Sequence, residues 1–265
     1  MGTKQYDSAT DLLTFSRAAS GGTFLGSNGL LQTAANNVPR IEYDATGAVK
    51  GLLIEEARTN RILTSEVAPT SYFGGLTKSV DNSVVSPAGG NNVEKFTLSN
   101  ANDYHYVGNH HDICTGTGTS TYSIFAKGSG HNLIRLRMSN MYGSPSCDFD
   151  LSTGQKQVTS SSDSSVTGAI ESIGNGWWRC AMTYAAVKSN PYASVFLIDA
   201  MDAPIQTFQG DGTSSVYVWG SQYESGSFPT SYIPTTGAAA TRARDIAQIP
   251  TSAFGYNNDK GSLVI

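Results

Sequence analysis

Charged side chains are scarce in this chain of 265 residues: Asp, Glu, Lys and Arg together make 14%, against about 25% in an average globular protein. The 17 Lys and Arg against 21 Asp and Glu leave a net charge of -4, and the basic residues are scattered singly. Without a basic stripe to neutralise a phosphate backbone, nucleic acid is not an expected partner. Cysteine is nearly absent as well. Cys114, Cys147 and Cys180 are too few and too widely spaced for a disulfide framework or a zinc site. They read as small hydrophobes of a core made in a reducing cytoplasm. Long apolar runs are missing: the stretch from Met1 to Ser8 has no signal-peptide core, and no window approaches the ~18 apolar residues of a membrane span. Membrane insertion is therefore not expected. Nor is there a Gly-x-Ser-x-Gly elbow, a Walker loop, a His-Glu-x-x-His or a dinucleotide fingerprint. The chain reads as a non-enzyme with no cofactor, although carboxylates brought together from distant strands would leave no such motif.

What is abundant is the material of short strands and turns, with Gly 28, Tyr 13 and Phe 10 among long Ser-, Thr- and Asn-rich stretches. Apolar residues alternate at period two in many short runs, the pattern of a multi-stranded β-sandwich rather than of βαβ units. The clearest predicted strands are Thr121 to Lys127, Asn132 to Met138, Cys147 to Leu151, Ala169 to Ile173, Trp177 to Ala185, Ser194 to Asp199 and Ser215 to Gln222. Ser152-Thr153-Gly154, Gly174-Asn175-Gly176 and Asp211-Gly212 supply turns between them, with glycine and asparagine suited to positive φ. From Thr14 to Ser65 the texture changes to short apolar pieces spaced by Gly, Asn and Asp, which reads as a separate β-rich element. Glu55 to Thr59 is placed as a single helical turn too short to be stable alone. Residues 234 to 254 read as an extended connector, and Lys260 to Ile265 as the start of a further strand.

Three segments carry a resemblance: Thr14-Phe15-Ser16-Arg17-Ala18 with Pro39-Arg40-Ile41-Glu42-Tyr43-Asp44; Gly51-Leu52-Leu53-Ile54-Glu55-Glu56-Ala57-Arg58-Thr59-Asn60; and Val218-Trp219-Gly220 through Phe228-Pro229-Thr230-Ser231-Tyr232-Ile233-Pro234-Thr235. Together they resemble tail-fibre, tail-spike and head-spike proteins of double-stranded DNA bacteriophages, in a module related to carbohydrate-binding jelly rolls. Tyr122 to Lys127 and Gly174 to Cys180 look like two successive strands of that jelly roll. The resemblance implies an all-β chain in which a smaller β-rich element at 1–70, serving virion attachment or oligomerisation, precedes a jelly-roll β-sandwich at 71–234. Residues 235–265 would be a connector and the start of a further strand or domain. It implies a homotrimer on the virion surface, assembled in the host cytoplasm, with other virion proteins and host-surface polysaccharide as partners. Glu55, Glu56, Arg58, Asn60 and Trp219 are its structural motif.

Adjacent on a strand, Trp177 and Trp178 must point to opposite faces. One fills the core; the other offers its π face to a pyranose ring or lies under a loop or neighbouring subunit. The segment Asp103 to Asp112 holds three of the four histidines. A hairpin at Gly108-Asn109 would put Asp103, His105, His110, Asp112 and Cys114 on one face, as a zinc or manganese site requires; a single strand bulged at Gly108 divides them between faces. Tyr104, Tyr106 and His111 join the two tryptophans as candidate glycan contacts. Glu55 and Glu56 are neighbours in an apolar context, whereas a glycosidase holds its two carboxylates across a cleft. Ion pairs or hydrogen bonds tying the N-terminal element to the sandwich, with Arg58 as a forked donor, fit them better. Three functions follow: a fibre or spike subunit that attaches to host glycan, a purely architectural adaptor or decoration protein, and a capsule depolymerase subunit with carboxylates facing each other across a groove.

Overall fold

The computed structural model of the chain describes residues 13–18, 22–67, 72–91, 93–108, 118–139, 145–159, 165–187 and 192–251. It is a jelly-roll β-sandwich with no α-helix among those residues. Two antiparallel sheets of six strands each face one another. Sheet I runs, in spatial order, Gln155–Val158, Ser146–Asp150, Leu133–Ser139, Tyr192–Leu197, His105–Gly108 and Tyr72–Gly74. Sheet II runs Val166–Gly174, Trp177–Val187, Gly118–Ser129, Ser215–Ser225, Val93–Leu98 and Leu76–Asp81. Each strand predicted from period-two alternation is present, extended by up to three residues at some ends and shortened by one or two at others, as at Asn132, Leu151 and Ile198–Asp199.

Alternation assigns the faces. Ile134, Leu136 and Met138 of sheet I meet Tyr122, Ile124, Cys180 and Met182 of sheet II in the core between the sheets. Cys147 and Cys180 are free and buried there. Burial pushes the Cys147 thiol up to about 12, with the Asp148 carboxylate adding to the effect, so it behaves as an inert small hydrophobe. Cys114 lies outside the described residues.

Sheet II is also covered on its outer face. Phe125, Trp177, Tyr217 and Trp219 pack there against Leu25 and Tyr232 in a second core. The cover is the N-terminal element: the hairpins Gly22–Leu25 with Leu31–Ala34 and Ile41–Tyr43 with Val49–Leu52, and the strand Arg58–Asn60. This explains why Ser215–Ser225 is buried at every position but its last; a strand apolar on both sides is one packed on both sides.

The C-terminal stretch departs from the expected connector. Ala240–Arg242 pairs with Arg58–Asn60, and Ile246–Gln248 pairs with Thr14–Ser16. The chain returns to complete the N-terminal element instead of leading away from it. Lys260 to Ile265 lies outside the described residues. Glu55 to Thr59 is not helical either: Arg58–Asn60 is a strand, because its partner in the sheet is this distant segment.

At Gly75 the chain passes from the edge strand of sheet I to that of sheet II with φ of 61°. A Cβ there would meet Tyr104 O at 2.5 Å and His105 Nδ1 at 2.7 Å, and the Gly75 carbonyl accepts from Ser99 N at 2.8 Å. Gly75→Ala combines left-handed backbone strain with a clash against main chain, so it should lower stability by about 2 kcal/mol. Urea unfolding checks this; a midpoint equal to wild type would mean the corner is free to rearrange.

Candidate functional site

Buried charges knit the N-terminal element to the returning C-terminal stretch, and hydrogen bonds involving Ser231 and Asn60 tie it to the last long strand of sheet II and the segment after it. Arg17 donates to Asp245 Oδ1 at 3.1 Å, and Arg40 reaches the other Asp245 oxygen, Glu55 Oε2 at 2.8 Å and Ser231 Oγ at 2.9 Å. Arg242 sits 3.1 Å from the same Glu55 oxygen, while Glu55 Oε1 accepts from Ser231 N at 2.7 Å. Glu56 pairs with Arg58, whose guanidinium lies 5.1 Å from the Phe228 ring centre. Asn60 donates to Ser221 O and Ile233 O and accepts from Ile62 N and Tyr223 N. Trp219 is packed among Phe125 and Tyr232. These residues hold structure together, and their charged atoms are committed to one another.

Beside these ion pairs, a small cleft of about 30 Å³ remains where the element meets the outer face of sheet II. It is lined by Phe125, Ile173 and Arg179 of the sheet, by Tyr232, and by Phe24 and Tyr43 of the N-terminal element. Arg179 Nη2 donates to Thr230 O at 2.6 Å and to Ser123 Oγ at 3.3 Å, with the guanidinium 5.4 Å from the Phe125 ring centre. Its Nε is buried without a partner. Burial draws the Arg179 pKa below the usual arginine range, against the opposing pull of Glu224 and Glu55.

Two residues with carboxylates, from elements far apart in sequence, also line it. Glu42 comes from the second hairpin and Glu171 from the edge strand Val166–Gly174. Lys50 bridges them, with its ammonium 2.8 Å from Glu171 Oε1 and 3.8 Å from Glu42 Oε2. The environments differ. Burial raises the Glu42 pKa, only partly offset by Lys50 and reinforced by Glu171, whereas the Glu171 side chain is 58% exposed. The hydrogen bond to Glu171 raises the Lys50 pKa.

The sequence-predicted glycan contacts are not brought together. Trp177 is the outward-facing member of its pair, but it is 1% exposed beneath the N-terminal element, and its indole N–H donates to Val85 O at 2.9 Å. Its π face is therefore covered within the chain itself. Trp178 packs against the core between the sheets, its ring so close over Gly154 that a Cβ there would meet it at 2.7 Å. Tyr106 lies on the far side of the molecule, on the outer face of sheet I, stacked on Phe196 at 5.1 Å between ring centres, with Arg137 on the same phenyl ring at 5.7 Å. Arg135 pairs there with Asp148 and donates to Ala203 O at 2.7 Å, and Asp202 N donates to Asp148 at 2.9 Å, so the loop around 202 closes over that part of the face. Tyr104 is 43% exposed near the sheet edge. His111 lies outside the described residues.

For the histidine cluster, the structure places His105 inward. Its ring nitrogens face Gly75 O at 2.5 Å and Phe208 O at 3.1 Å, which leaves neither for a metal. Asp103 belongs to a separate pairing with Phe208. His110, Asp112 and Cys114 fall outside the described residues, among which no group of three or more metal-ligating side chains occurs.

Sequence reasoning passed over Glu42, Lys50, Glu171 and Arg179. The available signal was local: Ile41-Glu42-Tyr43 and Ile170-Glu171-Ser172 each carry one carboxylate within an alternating strand. Nothing local says that the two strands meet.

No protein-family model matches the chain, and no curated protein does. Among solved structures, it is similar to the N-terminal CBM22-1–GH10 modules of endo-1,4-beta-D-xylanase 10B from Clostridium thermocellum, complexed with xylohexaose, at 14% identity and a TM-score of 0.36. That match covers 66% of this chain and 30% of that one. It is similar also to the CBM22-1 xylan-binding domain of Xyn10C from Paenibacillus barcinonensis, at 13% identity and a TM-score of 0.36, over 66% of this chain and 99% of that one.

Proposed function

We propose that the chain is a non-catalytic glycan-binding module of a bacteriophage fibre or spike, which holds host-surface polysaccharide in the cleft beside Arg179. The observation that carries the binding is the convergence around one cleft of two aromatic residues, Phe24 and Tyr43, with Glu42, Glu171 and Arg179. Aromatic rings supply flat apolar area to a pyranose face, and carboxylates accept from its hydroxyls. The virion setting rests on the sequence resemblance at 14–18, 39–44, 51–60 and 218–235. In that setting the subunits form a homotrimer, and repetition of a weak site multiplies its grip through effective concentration.

The test is a glycan array and host-cell binding assay with wild type, Tyr43→Ala and Glu171→Gln, with folding checked by circular dichroism. Wild type should bind, and each folded variant should lose about tenfold in affinity, or 1.4 kcal/mol. Absence of binding by folded wild type, or full binding by both variants, would overturn the reading.

A second reading, the architectural adaptor, is favoured by the aliphatic surface of the N-terminal element, where Ile41, Val49 and Ile54 are exposed, Val49 by 64%. An adaptor would bury this face against another virion protein and bind no sugar.

A further inference from the structure

We infer that residues 199–210 form a strap across part of the outer face of sheet I, and that His105 fastens it only while both of its ring nitrogens carry a proton.

The strap leads from Tyr192–Leu197 of sheet I to Ser215–Ser225 of sheet II, and most of its residues are exposed. It is tied down at two places. Near its start, Asp202 N donates to Asp148 and Ala203 O accepts from Arg135. Near its end, Phe208 and Gln209 pair with Asp103 and Asn102, Gly210 N donates to Ala101 O at 3.0 Å, and Phe208 O lies 3.1 Å from His105 Nε2. An exposed segment held by so few bonds belongs to the least stable part of a fold, where one hydrogen bond decides between closed and open.

His105 is 1% exposed, and both of its nitrogens face carbonyl oxygens: Nδ1 lies 2.5 Å from Gly75 O, and Nε2 faces Phe208 O. A carbonyl oxygen only accepts, whereas a neutral imidazole has one N–H and one bare nitrogen. The neutral ring can therefore bond one of these oxygens and sets a lone pair against the other. Both contacts are hydrogen bonds in the imidazolium form alone. The ring is tightly packed in this position: a Cβ on Gly75 would meet Nδ1 at 2.7 Å, a Cβ on Gly210 would meet Cε1 at 3.1 Å, and the Phe208 ring centre is 4.4 Å away. Gly75 O belongs to the corner between the sheets and also accepts from Ser99 N; Phe208 O belongs to the strap. A ring left with one proton keeps the corner and gives up the strap.

The neighbouring charges set the sign. His131 also stacks on Phe208, at 6.2 Å between ring centres, with Nε2 2.9 Å from Leu133 O. Burial lowers the His131 pKa and the charge on His105 adds to the effect, against the carbonyls of Leu133 and Ile198 and the Asp211 carboxylate. Asp103 is exposed and turns back to accept from Tyr104 N at 2.7 Å. The closed strap holds a proton on His105 that the open strap does not need, so closure is favoured at low pH and lost as His105 titrates on raising the pH. Charging of His131 at lower pH works the other way, because its folded form prefers the neutral ring. Opening uncovers the Arg135–Asp148 pair that the strap closes over.

The experiment is an NMR titration of the full chain from about pH 5.5 to about pH 9.5, which spans the ordinary histidine range. Nitrogen-15 shifts of the His105 ring count its N–H groups, and amide exchange, corrected for its intrinsic pH dependence, reports the strap. The ring should carry two N–H groups at the acid end and lose one on raising the pH. Exchange of the Gly210 amide should quicken by about tenfold with the same midpoint, as loss of a hydrogen bond to a charged group implies, while Leu133–Ser139 stays protected. His105→Gln, with one donor and no titration, should make strap exchange fast and independent of pH; His131→Gln should keep the pH response. If His105→Gln does not fold, the ring signal of wild type still decides. A ring with two N–H groups throughout, a ring with one throughout, or loss of the second proton with strap exchange unchanged would each overturn the inference. So would a pH response that survives in folded His105→Gln or disappears in folded His131→Gln.

Discussion

Trp177→Ala is expected to lower the stability of the chain by about 3–5 kcal/mol, the range for deleting a fully buried large aromatic ring. The indole fills the space between sheet II and the N-terminal element, in contact with the cluster that contains Leu25, Phe125 and Trp219. Its removal leaves a void lined by those rings, and close-packed walls relax into such a void only partly. The second core is also what joins the element to the sandwich, so hydrogen exchange in residues 22–60 should quicken more than in the core between the sheets. Urea unfolding gives the stability, and Tyr104→Ala provides the contrast: Tyr104 is exposed, and its loss should stay within about 0.5 kcal/mol. If Trp177→Ala stayed folded with less than about 1 kcal/mol lost and gave up glycan binding, the ring would be a surface contact after all, and the seating of the N-terminal element on sheet II would be wrong.

That expectation reverses the role most easily read for Trp177 from its neighbours, and the reason is physical. Alternation correctly places Trp177 and Trp178 on opposite faces, but alternation says only which way a side chain points. Whether the outer face meets water depends on what else folds onto it. The hint was in the last long strand, where Val216-Tyr217-Val218-Trp219 runs apolar without a polar partner, as a strand covered on both sides does. Seven of the twelve sandwich strands were legible because each is specified within a few residues, whereas Tyr72–Gly74, Leu76–Asp81, Val93–Leu98, His105–Gly108 and Gln155–Val158 were not picked out. Ala240–Arg242 was not, since a three-residue strand amid Ala, Thr and Gly has the composition of a linker; only its pairing with Arg58–Asn60, far away in sequence, makes it a strand. The cleft was hidden for the same reason. Glu42 and Glu171 are ordinary strand residues until the second hairpin is laid across the edge of sheet II and Lys50 joins them.

Removal of the Asp245 side chain should match the Trp177 effect by a different route. Its two oxygens accept from Arg17 and Arg40, and Oδ2 accepts also from Glu55 N at 2.9 Å. The side chains of all three ion-pair partners are fully buried. Asp245→Ala leaves two guanidiniums in the interior with one carboxylate fewer, and breaking a buried pair in this way costs about 3–5 kcal/mol because the orphaned charge cannot regain its water. Arg17 keeps Ala35 O and Val38 O, and Arg40 keeps Thr23 O and Glu55, so both remain hydrogen-bonded but undercompensated. Asp245→Asn retains oxygen and shape while losing the charge, and should fall between alanine and wild type. The sharper comparison removes charge in pairs: Arg17→Met with Asp245→Leu should be less destabilising than the two single changes added together, since the double variant leaves fewer unpaired charges. By contrast, Lys50→Met, which breaks an exposed ion pair with Glu171, should change stability by no more than about 1 kcal/mol. Additive effects in the double variant, or an Asp245→Ala loss as small as that of Lys50→Met, would mean that water reaches the arginines and that the apolar second core alone holds the N-terminal element in place.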